Sequence, residues 1–149
     1  MVEKTDCAFP TEVRPTNATT NKFLIITMIG QKRTMSFLAE PTDVNFSGKV
    51  HGGEVMRWID QAGYAFAVQY SKGYAVTKLV DNIEFINPMK IGDLVIIDTV
   101  LTRVGTTSMG FKVEVYSENL TSGNRVLNCA CNMVFVAVDE NGAKRKLIK

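Results

Sequence analysis

The chain has 149 residues, 46% of them hydrophobic with eight Phe among them, which predicts one domain able to bury a sizeable core. Seventeen Lys and Arg against fifteen Asp and Glu leave a net charge of +2. That excludes the strong basic surplus of a nucleic-acid protein, although a local basic cluster can still hold a small anionic ligand.

Residues 1–31 read as an amino-terminal arm, with Pro10, Pro15 and a Thr/Asn-rich stretch and little periodic apolar content. Glu3, Lys4 and Asp6 stand where a secretory signal would be basic and then apolar. The apolar run over 23–29 is too short to cross a bilayer. No membrane insertion is expected, and the location is read as cytoplasmic. The domain proper is expected over 32–149.

A strand is predicted over 32–40, stopped by Pro41, with a polar loop over 42–50 behind it. One long helix is predicted from about Gly52 to Tyr70, carrying Val55, Met56, Trp58, Ile59, Ala62, Phe66 and Ala67. It is apolar most of the way round, as a helix buried on several sides would be. After Lys72-Gly73 the pattern turns to strands over 75–86, 93–104, 107–116 and 125–138. Met109, Phe111, Val113 and Val115 alternate along the third of these. Short connections between successive strands predict an antiparallel sheet. The fold class is therefore α+β, with an antiparallel sheet wrapped around one long central helix. One side of that helix and the sheet edges remain to be covered, and a second copy would cover them.

Cys7, Cys129 and Cys131 are too few and too irregular for a disulfide framework. Cys129 and Cys131 fall on one side of a strand, but no second Cys/His pair completes a metal site. They read as small apolar residues in a reducing compartment, so the sequons at Asn17 and Asn119 carry little weight. No metal and no cofactor is expected.

The segment richest in chemistry runs from Asn45 through Gly48, His51, Gly52 and Gly53 to Asp60. Gly52 and Gly53 leave bare backbone N–H groups at a helix start, with the positive end of the helix dipole behind them. Such a site holds an anion, or the oxyanion that forms on an attacked carbonyl. Asp60 is a carboxylate in an otherwise apolar stretch, so it is either paired or functional. The pairing alternative is Arg57, three residues back. At 1.5 Å per residue, Asp60 lies roughly 10 Å or more from the two glycines. One carbonyl cannot reach both ends of that span, so joint action requires two chains with their helices antiparallel. His51, the single histidine of the sequence, is a candidate base or a loop-orienting group.

The spacing N-x-x-G-x-x-H-G-G-x-x-M-x-x-I-D, from Asn45 to Asp60, resembles the signature of the hotdog-fold acyl-CoA thioesterases. The likeness is to the small bacterial acyl-CoA hydrolases and the duplicated cytosolic acyl-CoA hydrolases of animals. Pro41-Thr42-Asp43, Phe85 through Pro88 to Gly92-Asp93, Gly105-Thr-Thr-Ser108 and Phe135 through Asp139 to Gly142 agree with it. The resemblance spans roughly 32–145. It implies a hotdog fold and hydrolysis of fatty or short-chain acyl-CoA at a dimer interface. It implies Asp60 as general base or nucleophile, Asn45 of a partner chain as the group positioning water or thioester, and Gly52 or Gly53 N–H as the carbonyl polariser. A thiol leaves readily, with a pKa of ~8.5 for a cysteine-like group, so no strong acid is needed.

For the phosphates of coenzyme A the sequence offers Arg103, Lys112, Arg125, Lys144, Arg145 and Lys146, with Gly105, Thr106, Thr107 and Ser108 as a turn rich in N–H and hydroxyl groups. Met56, Trp58, Tyr64, Phe66 and Met89 are candidates for an acyl slot or for the core. Coenzyme A enters as part of the substrate. Self-association is expected as a dimer, with a tetramer or a trimer of dimers beyond it. Two rival readings remain. One is a hotdog dehydratase using His51 with Asp60. The other is a non-catalytic acyl-CoA-binding module.

Overall fold

The computed structural model describes residues 28–147. The predicted arm lies outside the described residues up to position 27, and its last four residues are tied down. Gly30 N–H donates to Leu101 O, Leu101 N–H donates to Gln31 O, and Met28 packs on the core.

The elements follow in the expected order: β1 (Lys32–Leu38), a single 3-10 turn (Pro41–Asp43), helix α1 (Gly52–Ser71), β2 (Ala75–Phe85), β3 (Leu94–Val104), β4 (Ser108–Glu118) and β5 (Arg125–Ala137). Pro41 cannot donate to a ladder and ends β1. Lys72, in the left-handed conformation, ends α1 with Gly73 behind it. The strands form one antiparallel sheet in the order β1-β3-β4-β5-β2. This is the hotdog architecture, a five-stranded sheet around a single helix.

Alternation decides which side chains meet the helix. Val95, Ile97 and Leu101 of β3, Met109, Phe111, Val113 and Val115 of β4, and Cys129, Cys131, Met133 and Phe135 of β5 are buried. Against them α1 places Val55, Trp58, Ile59, Ala62, Phe66 and Ala67. Phe66 lies tilted against Phe111, and Phe111 meets Phe135 edge-on, with centroids 5.2 and 5.8 Å apart. Gly63 lets the helix close on β5. A Cβ there would lie 2.8 Å from the Phe135 ring and 3.1 Å from the Met133 sulfur. The opposite side of α1 is open, with Arg57, Asp60, Gln61, Tyr64 and Gln69 exposed.

The two sheet edges differ. The β1 edge has seven residues and begins with Lys32 and Arg33, a short charged rim of the kind that resists pairing. The β2 edge has eleven residues, of which Ala75 alone is buried. Val76, Leu79, Ile83 and Phe85 are exposed along it. Register shifts interrupt its pairing with β5 between Thr77 and Leu79 and between Asp81 and Glu84, and Asn82 sits at a φ of 50°. No described helix is long and apolar enough to cross a membrane.

Candidate active site

The loop before α1 is built around one side chain. Asn45 Oδ1 accepts from Ser47 N–H at 2.9 Å, Ser47 O–H at 2.7 Å and Lys49 N–H at 3.2 Å. Asn45 N–H donates to Lys49 O, and Gly48 N–H donates back to Asn45 O. Three donors on the oxygen leave the amide NH₂ as the free end of the side chain. Beside Asn45, at the loop tip, Phe46 is entirely exposed.

His51 occupies the N-cap of α1, yet its imidazole makes no capping bond. Its backbone does the work: His51 N–H donates to Asp43 O, and His51 O accepts from Glu54 and Val55. The Pro41–Asp43 turn thus fixes where the helix starts. The Glu54 N–H is the first of the helix to find an acceptor, and those of Gly52 and Gly53 donate to no described residue. They are the unpaired first-turn donors that the sequence predicts. A Cβ at Gly52 would stand 3.6 Å from the Phe85 ring. A hollow of about 340 Å³ opens there, lined by Val50, Gly52, Val55, Phe85 and Met89, with Asn128 of β5 in its wall.

Asp60 lies on the open side of α1 and is not paired with Arg57. Arg57 bonds Glu54 instead, Nε to Oε2 at 2.7 Å. Asp60 Oδ1 accepts from the hydroxyl of Thr77 at 2.6 Å. Thr77, on β2 just before the first register shift, is a site residue the sequence reading does not include. Only the return of β2 beneath the helix brings it to Asp60.

A second hollow of about 370 Å³ is lined by Lys78, Leu79, Arg103, Thr107, Ser108, Val134, Val136 and Lys144. It unites four of the sequence candidates and adds Lys78. The turn before β4 is closed by Gly105 N–H donating to Ser108 O. The carbonyls of Thr106 and Thr107 accept from Leu147 and Ala137, which holds the segment after β5 against this turn.

Three other candidate cations are engaged away from that hollow. Arg145 Nη2 donates to Ser71 O at 3.1 Å and lies over Gly73, so it serves the carboxyl end of α1, where a cation is favoured. Lys112 pairs with Glu114 at 2.7 Å and Arg125 with Glu118 at 2.8 Å. The hydrogen bond from Lys112 holds the Glu114 carboxyl below its ordinary range. Of the proposed acyl-slot residues, Met89, Trp58 and Phe66 are all core, and Met89 also lines the first hollow. Trp58 packs edge-on to Phe37 with centroids 4.9 Å apart.

Residues 47–123 match the thioesterase superfamily. An uncharacterized acyl-CoA thioester hydrolase of Haemophilus influenzae is 35% identical over 113 residues, covering 74% of this chain and 73% of the relative. The acyl-CoA thioester hydrolase YciA of Salmonella typhimurium is 33% identical over 74% of this chain and 85% of its own. Among solved structures, a variant of HI0827, a hexameric broad-specificity acyl-coenzyme A thioesterase, superposes with a TM-score of 0.75 at 33% identity, covering 77% of this chain and 85% of that one. The hexameric thioesterase y2039 of Yersinia pestis gives 0.74 at 30%, over 77% and 94%. An acyl-CoA hydrolase of Staphylococcus aureus, solved with butyryl coenzyme A, coenzyme A and coenzyme A disulfide, gives 0.72 at 25%, over 78% and 71%. With the helix-start glycines, the helix carboxylate and the hotdog sheet all in place, the chain belongs to the thioesterase superfamily, among its hotdog-fold acyl-CoA thioester hydrolases.

Proposed function

We propose that this chain hydrolyses acyl-CoA to free acid and coenzyme A at a site shared by two copies of itself. The observation that carries the shared site is the separation of its parts. Asp60 and Thr77 lie by the open edge strand, whereas the free N–H groups of Gly52 and Gly53 lie seven to eight residues back along α1, roughly 10 Å away. Pairing two β2 edges, with their exposed Val76, Leu79 and Phe85, is the natural closure for so long an apolar rim. It lays two helices antiparallel and brings Asp60 of one copy toward the glycines of the other. The hexameric state of HI0827 and y2039 makes a trimer of such dimers the assembly of choice.

In this arrangement the thioester carbonyl accepts from Gly52 or Gly53 N–H, which stabilise the oxyanion as it forms. Asp60, steadied by Thr77, takes a proton from the attacking water or attacks the carbonyl itself. The tetrahedral species collapses with loss of the coenzyme A thiolate, which takes up a proton; where Asp60 is itself the nucleophile, a water then cleaves the acyl-Asp60 anhydride to release the free acid and restore the carboxylate. The free NH₂ of Asn45 donates to the water or to the thioester. His51 then serves through its backbone, by setting the helix start. The second hollow, with Lys78, Arg103 and Lys144 beside the Thr107 and Ser108 hydroxyls, takes the phosphates. Coenzyme A is a substrate portion here, and no separate cofactor is invoked. Buried free thiols at Cys129 and Cys131 suit a reducing, cytoplasmic setting.

The test is release of free thiol from acyl-CoAs of increasing length by the wild type and by Asp60→Asn. Turnover that Asp60→Asn abolishes without unfolding supports the reading, and binding without release overturns it. The shared site is tested by mixing Asp60→Ala and Asn45→Ala chains. Random pairing should restore activity toward about a quarter of wild type. No recovery despite proven subunit exchange sinks the two-chain site.

A further inference from the structure

The loop before α1 carries an aromatic side chain that the chemistry above leaves unused. Among the described large apolar side chains that are exposed, Phe46 at 113% stands far above the next, Tyr74 at 61%. The loop itself does not call for a ring there, since turn tips are usually filled by polar residues. Nor is Phe46 out in water because the loop is loose. A bridge between Val44 and Val50 closes its base. Asn45 N–H on Lys49 O at 2.8 Å and Gly48 N–H on Asn45 O at 2.9 Å close the turn above it.

A single exposed apolar residue is ordinary on any surface. The position of Phe46 is what sets it apart. Its Cα lies about 3.8 Å from that of Asn45, whose free NH₂ is assigned to the reacting water or thioester. In the two-copy site, the other copy brings up α1 with Asp60. Four residues further along that helix stands Tyr64, on the same open side and about 6 Å beyond Asp60. Tyr64 is 45% exposed. The two helices run antiparallel. Moving from Gly52 toward the loop in one copy is therefore moving from Asp60 toward Tyr64 in the other. One exposed aromatic from each copy flanks the same end of the shared site.

The chemistry of an acyl-CoA selects what lies between them. The pantetheine arm carries amides, whose hydrogen bonds a phenyl ring cannot serve. The adenine lies beyond that arm, away from the carbonyl. The acyl chain alone is both apolar and joined directly to the reacting carbonyl.

We propose that Phe46 of the copy supplying Asn45, with Tyr64 of the copy supplying Asp60, forms the wall of the acyl slot and sets a preference for chains of several carbons. This rests on the acyl-CoA reading and the two-copy site above. A longer chain covers the Phe46 ring and removes apolar surface from water. The methyl of an acetyl group is too short to reach it.

The experiment measures kcat/KM for hexanoyl-CoA and acetyl-CoA on the wild type, Phe46→Ser and Phe46→Leu. Phe46 is exposed, so neither change disturbs the core. The hexanoyl-to-acetyl ratio should fall about tenfold in Phe46→Ser, while Phe46→Leu keeps most of it. An unchanged ratio in Phe46→Ser overturns the proposal. Equal loss on both thioesters does so too, and makes Phe46 a packing contact between the copies. Mixed chains then test the placement. In a pair of Asp60→Ala and Asn45→Ala chains, the one complete site takes its loop from the Asp60→Ala chain. Adding Phe46→Ser to that chain should lower the ratio of the restored activity, and adding it to the Asn45→Ala chain should not. Tyr64→Ala should show the opposite dependence. An effect that follows the wrong chain overturns the proposal while the shared site stands. Absence of restored activity despite subunit exchange strikes the shared site and this proposal with it. Failure of the wild type to release thiol from either substrate strikes the thioesterase reading itself.

Discussion

The hydroxyl of Thr77 donates to Asp60 Oδ1 at 2.6 Å, tying the middle of α1 to the open edge strand. That bond fixes one carboxylate oxygen and leaves the other free to act on water or carbonyl. Thr77→Val keeps the shape and removes the donor. A hydrogen bond to a charged group is worth about 1.5–3 kcal/mol, so kcat should fall about ten- to a hundredfold. KM should change little, since the bond steadies a reacting group. Thr77→Ser should retain most of the rate. Steady-state kinetics on the three chains check this, with circular dichroism to show that each is folded. An equal loss in Thr77→Ser would point to packing.

Two neighbouring basic residues near the carboxyl end should separate cleanly. Lys144 lines the hollow with Lys78 and Arg103, whereas Arg145 donates to Ser71 O. Lys144→Ala should raise KM for acyl-CoA several-fold and flatten its dependence on salt. It should leave an acyl-N-acetylcysteamine thioester, which has no phosphates, unaffected. Arg145→Ala should cost about 0.3–1 kcal/mol of stability through the loss of a helix-end cation, read as a lower melting temperature, with KM unchanged. The reverse assignment would refute the placement of the phosphate site.

Gly63 offers a test of the helix-sheet contact. Gly63→Ala improves helix propensity by about 1 kcal/mol. The new methyl, however, would stand 2.8 Å from the Phe135 ring and 3.1 Å from the Met133 sulfur. Overpacking of this kind costs about 1–3 kcal/mol, so the net effect should be destabilising. Urea unfolding of both chains decides, and a more stable variant would show that the ring can move aside.

Cys129 and Cys131 are buried free thiols. Burial pushes both up, and with Cys129 beside it Cys131 reaches about 12. The thiolate is the reactive form. Both should therefore resist iodoacetamide at mildly alkaline pH in the native protein and react promptly in denaturant. Peptide mapping after timed alkylation reads each position, and rapid native labelling of Cys131 would contradict its burial.

Local pattern carries the elements of this fold. The strand predicted over 125–138 and the observed Arg125–Ala137 nearly coincide because alternation and turn residues bound them. Gly52 and Lys72-Gly73 bound α1 in the same way. Spatial order is another matter. Nothing local places β2 at the edge beside β5, since that choice depends on long-range packing. The site divides along the same line. Asn45, His51, Gly52, Gly53 and Asp60 share one contiguous segment with its own spacing. Thr77 reaches Asp60 across a sheet edge, and Lys78 reaches Arg103 and Lys144 across three strands. The charge partners Glu54, Glu114 and Glu118 were in plain view, but several acceptors competed for each cation, and spacing alone does not rank them.

The loop around Asn45 has a consequence for how the protein ages. Its carboxamide oxygen is occupied by three internal donors, so only the NH₂ faces outward. Slow hydrolysis of that amide would leave an aspartate that keeps every one of those bonds. The loop would hold its shape and the chain would look native by spectroscopy. On the proposed mechanism, an old preparation would then carry a silent fraction, detectable by one added negative charge on an isoelectric gel rather than by any loss of structure.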